Sequence, residues 1–197
     1  MRISDVDLLI VPGWTNSDAD HWQSRWESKL STSRRVMMPD FDRPVCEDWV
    51  NALVVSVAMG TRPVFLIAHS CGVTAVAHAA PLLPKNRIAG AMLVAPPDVL
   101  EGPAVDAFIR ANEPGIAAPK GFDPTPLAPL GFSSMVIASR SDPFCSFTRA
   151  AEFARAWGAT LIDAGDAGHI NTTSGYGPWP DGVLRLAAFL HNLKSGA

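Results

Sequence analysis

Short apolar runs alternate with longer amphipathic stretches along most of this chain. Val6–Val11, Arg35–Met38, Val64–Ala68, Ile88–Val94, Ser133–Ala138 and Thr160–Ile162 are bounded by Pro, Gly or polar residues and read as strands. Most are apolar at consecutive positions, as strands covered on both faces are. Between them, Ala19–Leu30, Cys46–Met59, Gly72–Leu82, Phe147–Trp157 and Asp181–Leu193 read as helices, with Asp18 placed to cap the first and Ser146 the fourth. This alternation predicts an α/β architecture of about six parallel strands flanked by helices on both faces. Ligands meet such sheets at the carboxyl ends of the strands, so chemistry is sought in the loops that follow them.

The pattern breaks between Ala95 and Phe132, where Pro96, Pro97, Pro103, Pro114 and further prolines punctuate the chain and only Ala104–Ala111 reads as helix. Segments of this length without regular structure are often lids, so residues 95–132 are either a lid candidate or a surface connection. No repeat or linker divides the 197 residues, which read as a single domain, 1–197, able to bury about 70% of its unfolded surface.

Composition narrows the classes. The formal charge of −3 comes without a dense basic cluster, which argues against nucleic acid as a partner. Cys46, Cys71 and Cys145 are too few and too scattered for a disulfide framework or a zinc site, so a cytoplasmic chain with no metal is expected. Leu8–Val11 is too short for the core of a signal peptide, and no apolar run has the length of a membrane span, so no membrane association is expected. Oligomeric state leaves no mark on the sequence.

Candidate chemistry concentrates after Val64–Ala68. The run Ala68-His69-Ser70-Cys71-Gly72 puts a serine between an apolar strand and a helix-compatible segment. A turn sharp enough to project the hydroxyl above the sheet needs small residues two before and two after it. Ala68 and Gly72 satisfy that need, although glycine is usual at the first position. A serine nucleophile requires a base, and the base an orienting acid. Of five histidines, His169 lies in a Gly-rich loop after the last strand, Asp163-Ala-Gly-Asp-Ala-Gly-His169-Ile-Asn171, from which it can reach Ser70. His69 adjoins the serine, but its side chain is expected to lead elsewhere. Asp142 follows the strand Ser133–Ala138, and Pro143 holds it in an extended turn at the same sheet edge. Asp163 and Asp166 are rivals that would need a tight fold-back to reach His169. Backbone N–H groups of Cys71 and of Trp14, in the loop Pro12-Gly13-Trp14-Thr15, are the candidate oxyanion donors. The Cys71 sulfur is expected to point away from the reacting carbonyl. Gly13, Thr15, His21 and Asn171 are candidate site-lining residues, His21 being equally readable as a structural hydrogen-bonding group.

Pro12-Gly13-Trp14, His21-Trp22-Gln23-Ser24-Arg25-Trp26, His69-Ser70-Cys71-Gly72, Ser141-Asp142-Pro143 and Gly168-His169-Ile170-Asn171 together resemble the small serine hydrolases of the retinoblastoma-binding-protein-9-like group, within the α/β-hydrolase superfamily. Ser174-Gly-Tyr-Gly-Pro-Trp-Pro180 extends the likeness toward the C-terminus. The resemblance implies an α/β-hydrolase fold lacking the first two superfamily strands, a Ser70–Asp142–His169 triad and esterase- or amidase-like activity without a cofactor. The expected substrate is a small-molecule acyl compound, an ester, thioester or amide.

Two other readings use the same residues differently. Acyl transfer to an acceptor other than water needs the same triad. A non-catalytic protein-binding role is the other, although the chain has no Leu-x-Cys-x-Glu motif. Its nearest segment, Pro44-Val45-Cys46-Glu47, lacks both the leucine and the spacing.

Overall fold

The computed structural model describes residues 1–98, 102–112 and 114–193. In chain order these form β1 (Asp7–Val11), α1 (Trp22–Lys29), β2 (Ser33–Arg35), α2 (Cys46–Met59), β3 (Val64–His69), α3 (Cys71–Ala79), β4 (Ile88–Val94), α4 (Pro103–Asn112), β5 (Ser134–Ala138), α5 (Phe147–Trp157), β6 (Thr160–Asp163) and α6 (Pro180–Asn192). The six strands form one sheet in the order β2-β1-β3-β4-β5-β6, with every pair parallel.

The consecutive apolar residues of the strands sort by parity. Leu9, Val11, Leu66, Ala68, Leu93 and Val136 face one layer with Trp49 and Leu53 of α2, Val73 and Val76 of α3, and Phe153 and Trp157 of α5. Leu8, Ile10, Phe65, Ile67, Met92 and Ile137 face the other, with Trp22 and Trp26 of α1 and Leu186 and Leu190 of α6. Successive strand side chains point to opposite faces, so a run that is apolar throughout requires a cover on each side. In β3 every residue is buried.

Three elements differ from expectation by more than one residue at an end. The second strand is Ser33–Arg35 rather than Arg35–Met38. It is a half-buried edge strand; Val36 donates to the Ile10 carbonyl at 2.8 Å, after which the chain leaves the ladder. The first helix starts at Trp22, not Ala19. Asp18 instead accepts from the N–H groups of Asp20 and His21 in a preceding turn, and His21 caps α1 by accepting from Gln23. The third helix ends at Ala79, before Leu82. Ser146 caps α5, as expected.

The proline-rich excursion has two unlike parts, and residues 99–101 and 113 within it lie outside the described residues. Helix α4 covers the expected helical stretch. Beyond it the chain is pinned to the body: Cys46 donates to Lys120 at 2.9 Å, the Trp157 indole donates to Pro126 at 2.8 Å, and Phe122 is fully buried against Trp49. No helix among the described residues is long and apolar enough to cross a membrane.

Candidate active site

The loops at the carboxyl ends of β1, β3, β5 and β6 converge. Ser70 sits between β3 and α3 with φ 54° and ψ −130°, a conformation a non-glycine residue rarely adopts. The close approach of α3 to β1 explains the small residue at 72. A Cβ there would lie 2.5 Å from the carbonyl oxygens of both Val11 and Pro12. Gly13 is as constrained, since a Cβ on it would come within 2.8 Å of the Ser70 Cβ. Below this junction the fully buried Gln23 donates to the Val11 and Ile67 carbonyls at 3.2 and 3.0 Å, tying the ends of β1 and β3 together.

The Ser70 hydroxyl lies 2.8 Å from His169 Nε2. His169 Nδ1 is 2.9 Å from each carboxylate oxygen of Asp142. A carboxylate only accepts, so Nδ1 carries the proton and Nε2 is left to accept from the serine. Asp142 is held in turn, because its Oδ1 accepts from the Phe144 N–H at 2.9 Å. The His169 and Asp142 side chains are only 9% and 3% exposed, so little water competes for their bond. Asp163 is engaged elsewhere, accepting from the Arg140 guanidinium at 2.9 Å and from the Gly165 N–H.

Trp14 and Cys71 lie beside Ser70. Cys71 opens α3, where a backbone N–H has no intrahelical acceptor and the helix dipole is positive. Burial pushes the Cys71 thiol up to about 12, a rise partly offset by the Trp14 N–H within its reach. The sulfur therefore lies nearer the expected oxyanion donors than a side chain turned away would, but it stays a thiol. Cys145 and Cys46 are likewise raised by burial, to about 12 and about 11.

The other sequence candidates occupy supporting positions. The Asn171 side chain accepts from the Ser174 N–H and hydroxyl at 3.0 and 2.9 Å, holding a tight turn at Thr172–Ser174. His21 is 4% exposed, with its ring 4.9 Å from that of His69, and burial lowers it to about 4, so it is a neutral cap. Thr15 has φ 64° and donates through its backbone to Phe41 at 2.8 Å.

The support of the His169 loop was not found from sequence. His69 Nε2 donates to the His169 carbonyl at 2.8 Å, and the Trp22 indole donates to the next carbonyl, Ile170, at 2.9 Å. His69 is wholly buried, which lowers it well below the usual imidazole range and keeps it neutral. Its side chain does lead away from Ser70, but it arrives at the backbone of the candidate base. Strand parity was the available signal: Phe65 and Ile67 face the α1/α6 layer, and His69 is the next residue in that series. From the other side, Ser139, Ser141 and Ser174 hydroxyls accept from the N–H groups of Ala167, Gly168 and His169 at 2.9, 3.0 and 3.1 Å.

The model of the family described as serine hydrolase matches residues 8–188, nearly the whole sheet and all four loops. The chain belongs to that family. A comparison with curated proteins returned no match. Among solved structures, a protein described as a YdeN-like hydrolase from Pectobacterium atrosepticum is 35% identical over 97% of this chain and 94% of its own, with a TM-score of 0.81. The ydeN gene product of B. subtilis is 19% identical over 94% of this chain and 99% of its own, with a TM-score of 0.69. Est1E from Butyrivibrio proteoclasticus, solved with ferulic acid bound, is 13% identical over 95% and 89% of the two chains at a TM-score of 0.69, which speaks for the fold alone. The sheet and its helices thus have the α/β-hydrolase fold, and the serine hydrolase family places a hydrolytic function on it.

Proposed function

We propose that this serine hydrolase is carboxylesterase-like and cleaves an ester, thioester or amide of a small acyl compound through an acyl-enzyme on Ser70. The observation that carries the reading is the unbroken relay from Ser70 Oγ to His169 Nε2 at 2.8 Å and from His169 Nδ1 to Asp142 at 2.9 Å. As Ser70 Oγ attacks the carbonyl carbon, its proton passes to His169 Nε2. Asp142 fixes the tautomer that can accept this proton and stabilises the imidazolium that results. The carbonyl oxygen becomes an oxyanion, facing the N–H groups of Trp14 and Cys71; one such donor is worth about 3–4 kcal/mol in the transition state. His169 returns the proton to the leaving alcohol, thiol or amine. Water then attacks the acyl-enzyme, gives its proton to the same nitrogen, and releases the acid and free Ser70.

The steps use side-chain and backbone groups of this chain and water. The finer placement in the retinoblastoma-binding-protein-9-like group is supported by the motifs around Trp14, His21, Ser70, Asp142 and His169. Buried single thiols at Cys46, Cys71 and Cys145 fit a cytoplasmic protein. The test is a fluorophosphonate probe combined with p-nitrophenyl esters of graded acyl length. Labelling and turnover that both vanish in Ser70→Ala support the proposal; turnover that survives in the variant refutes it.

A further inference from the structure

Three aromatic side chains from separate segments form a row that ends on the His169 imidazole. Trp14, after β1, packs on Phe108 of α4 with ring centroids 4.9 Å apart. Phe108 meets Phe144, after β5, edge-on at 6.4 Å, and Phe144 meets His169 at 4.6 Å. All three aromatic residues are half-buried, whereas Trp22, Trp49 and Trp157 are enclosed in the core. Each of the three rings therefore keeps part of its surface open, and the row starts next to Gly13, where a Cβ would lie 2.8 Å from the Ser70 Cβ, and ends on the imidazole that bonds Ser70.

The row is also anchored and uncharged. Phe144 is clamped through its backbone, its N–H donating to Asp142 at 2.9 Å and its carbonyl accepting from Asp98 at 3.0 Å. On α4, Val105 is buried and Phe108 and Ile109 are half-buried, the i, i+3, i+4 spacing of one face, while Asp106 and Arg110 are exposed. That face is what lays Phe108 against Trp14 and Phe144. The row's one polar side-chain atom, Trp14 Nε1, already donates to the Asp42 carbonyl at 3.1 Å. The Asp98 carboxylate, near Phe144, is paired with Arg149 at 2.8 Å.

We infer that Trp14, Phe108 and Phe144 are the substrate-contacting wall of the site, and that one substituent of the scissile carbonyl is an uncharged, ring-bearing apolar group. This rests on the acyl-enzyme reading of Ser70. Open ring faces and edges reward another ring beyond the area it covers, and a charged substituent there would lose its water without gaining a partner. The ring can sit on the acyl or on the alcohol side of the bond; both present the same chemistry to the wall.

The full-length protein tests this by acid release from four esters: methyl acetate, methyl 3-phenylpropanoate, benzyl acetate and monomethyl succinate. At least one of the two ring-bearing esters is expected to exceed methyl acetate about tenfold in kcat/KM, and the better one shows which side of the bond carries the ring. Monomethyl succinate is expected to fall below methyl acetate. Phe108→Ala should cost the preferred ring-bearing ester about tenfold more than it costs methyl acetate, mainly through KM, with partial recovery in Phe108→Leu. The inference is overturned if the charged half-ester is cleaved as well as the ring-bearing ones, or if Phe108→Ala lowers all four alike. A fluorophosphonate control separates the two levels. If Ser70 is labelled but no ring preference exists, the wall alone fails; if Ser70 is not labelled in the folded protein, the acyl-enzyme reading and the wall fall together.

Discussion

The segment that carries Ser70 and the segment that carries His169 meet at 2.8 Å, but they are built in different ways. Ser70 is positioned by its immediate neighbours: β3 ends, the backbone turns through φ 54°, and α3 begins, with Gly72 letting the helix start against β1. The His169 loop has no regular structure around the histidine. Gly168 and Ile170 on either side both have positive φ, which for the β-branched Ile170 is a strained conformation. Five side chains hold it, four of them from distant parts of the chain: His69 and Trp22 donate to its carbonyls, Ser139 and Ser141 accept from its N–H groups, and the nearby Ser174 accepts from another. The nucleophile is therefore fixed by steric fit and the base by long-range hydrogen bonds.

That difference can be broken from either side. The largest effect is expected where the two segments act together. Asp142→Asn preserves shape but disturbs the His169 tautomer, so kcat should fall about 10⁴-fold with little change in the thermal midpoint. Stopped-flow or single-turnover kinetics, with calorimetry on the same sample, checks both halves of that statement.

On the Ser70 side, Gly72→Ala forces a Cβ against two carbonyl oxygens that belong to the backbone and cannot rotate away. Overpacking of this kind costs about 1–3 kcal/mol or more, so stability and fluorophosphonate labelling should fall together. On the His169 side, His69→Phe keeps an aromatic ring but leaves the His169 carbonyl without its donor, at a cost of about 1–3 kcal/mol. Here kcat is expected to drop about tenfold while KM holds, since the Ser70 turn is untouched, and His69→Gln, which keeps a donor, should recover part of it. If His69→Phe instead raised KM and left kcat alone, His69 would not be positioning the base.

A smaller effect comes from acid. His21 and His69 titrate below the unfolded value of about 6.5, His21 at about 4, because burial disfavours their charged forms. Between pH 6.5 and 4 the unfolded chain binds protons at these positions that the folded chain does not. Their contribution to stability is complete above pH 6.5 and is lost as pH falls, at about 1.4 kcal/mol per pH unit for each. Denaturant midpoints measured across that window should decline toward acid, and less steeply in His21→Asn. The smallest effect is reserved for Asp163, whose pairing with Arg140 is solvent-exposed. Asp163→Asn should leave the denaturant midpoint nearly unchanged and ester turnover at the wild-type level.

The same contrast explains what could be read from the sequence. The sheet was legible because the strand runs at Val64–Ala68 and Ile88–Val94 are apolar at every position, which only a doubly covered parallel strand explains. The Ser70 turn was legible because its requirements fall within five consecutive residues. The support of His169 was not, because nothing near residue 169 indicates that residues 22 and 69 donate to it. The role of Asn171 was hidden for a related reason: proximity in sequence to His169 points to the site, whereas the hydrogen bonds that its amide oxygen accepts from Ser174 show only in the folded loop. The second strand slipped because Ser33-Arg34-Arg35 has no apolar signal; edge position rather than composition puts it in the sheet.

The most direct test of the central claim is mass spectrometry of the protein quenched in acid during turnover of an activated ester. The account predicts a mass increase of one acyl group, located on Ser70 by peptide mapping, which decays at the rate of product formation and is absent from Ser70→Ala. Steady turnover with Ser70 unmodified, or an adduct on another residue that decays at the turnover rate, would contradict it.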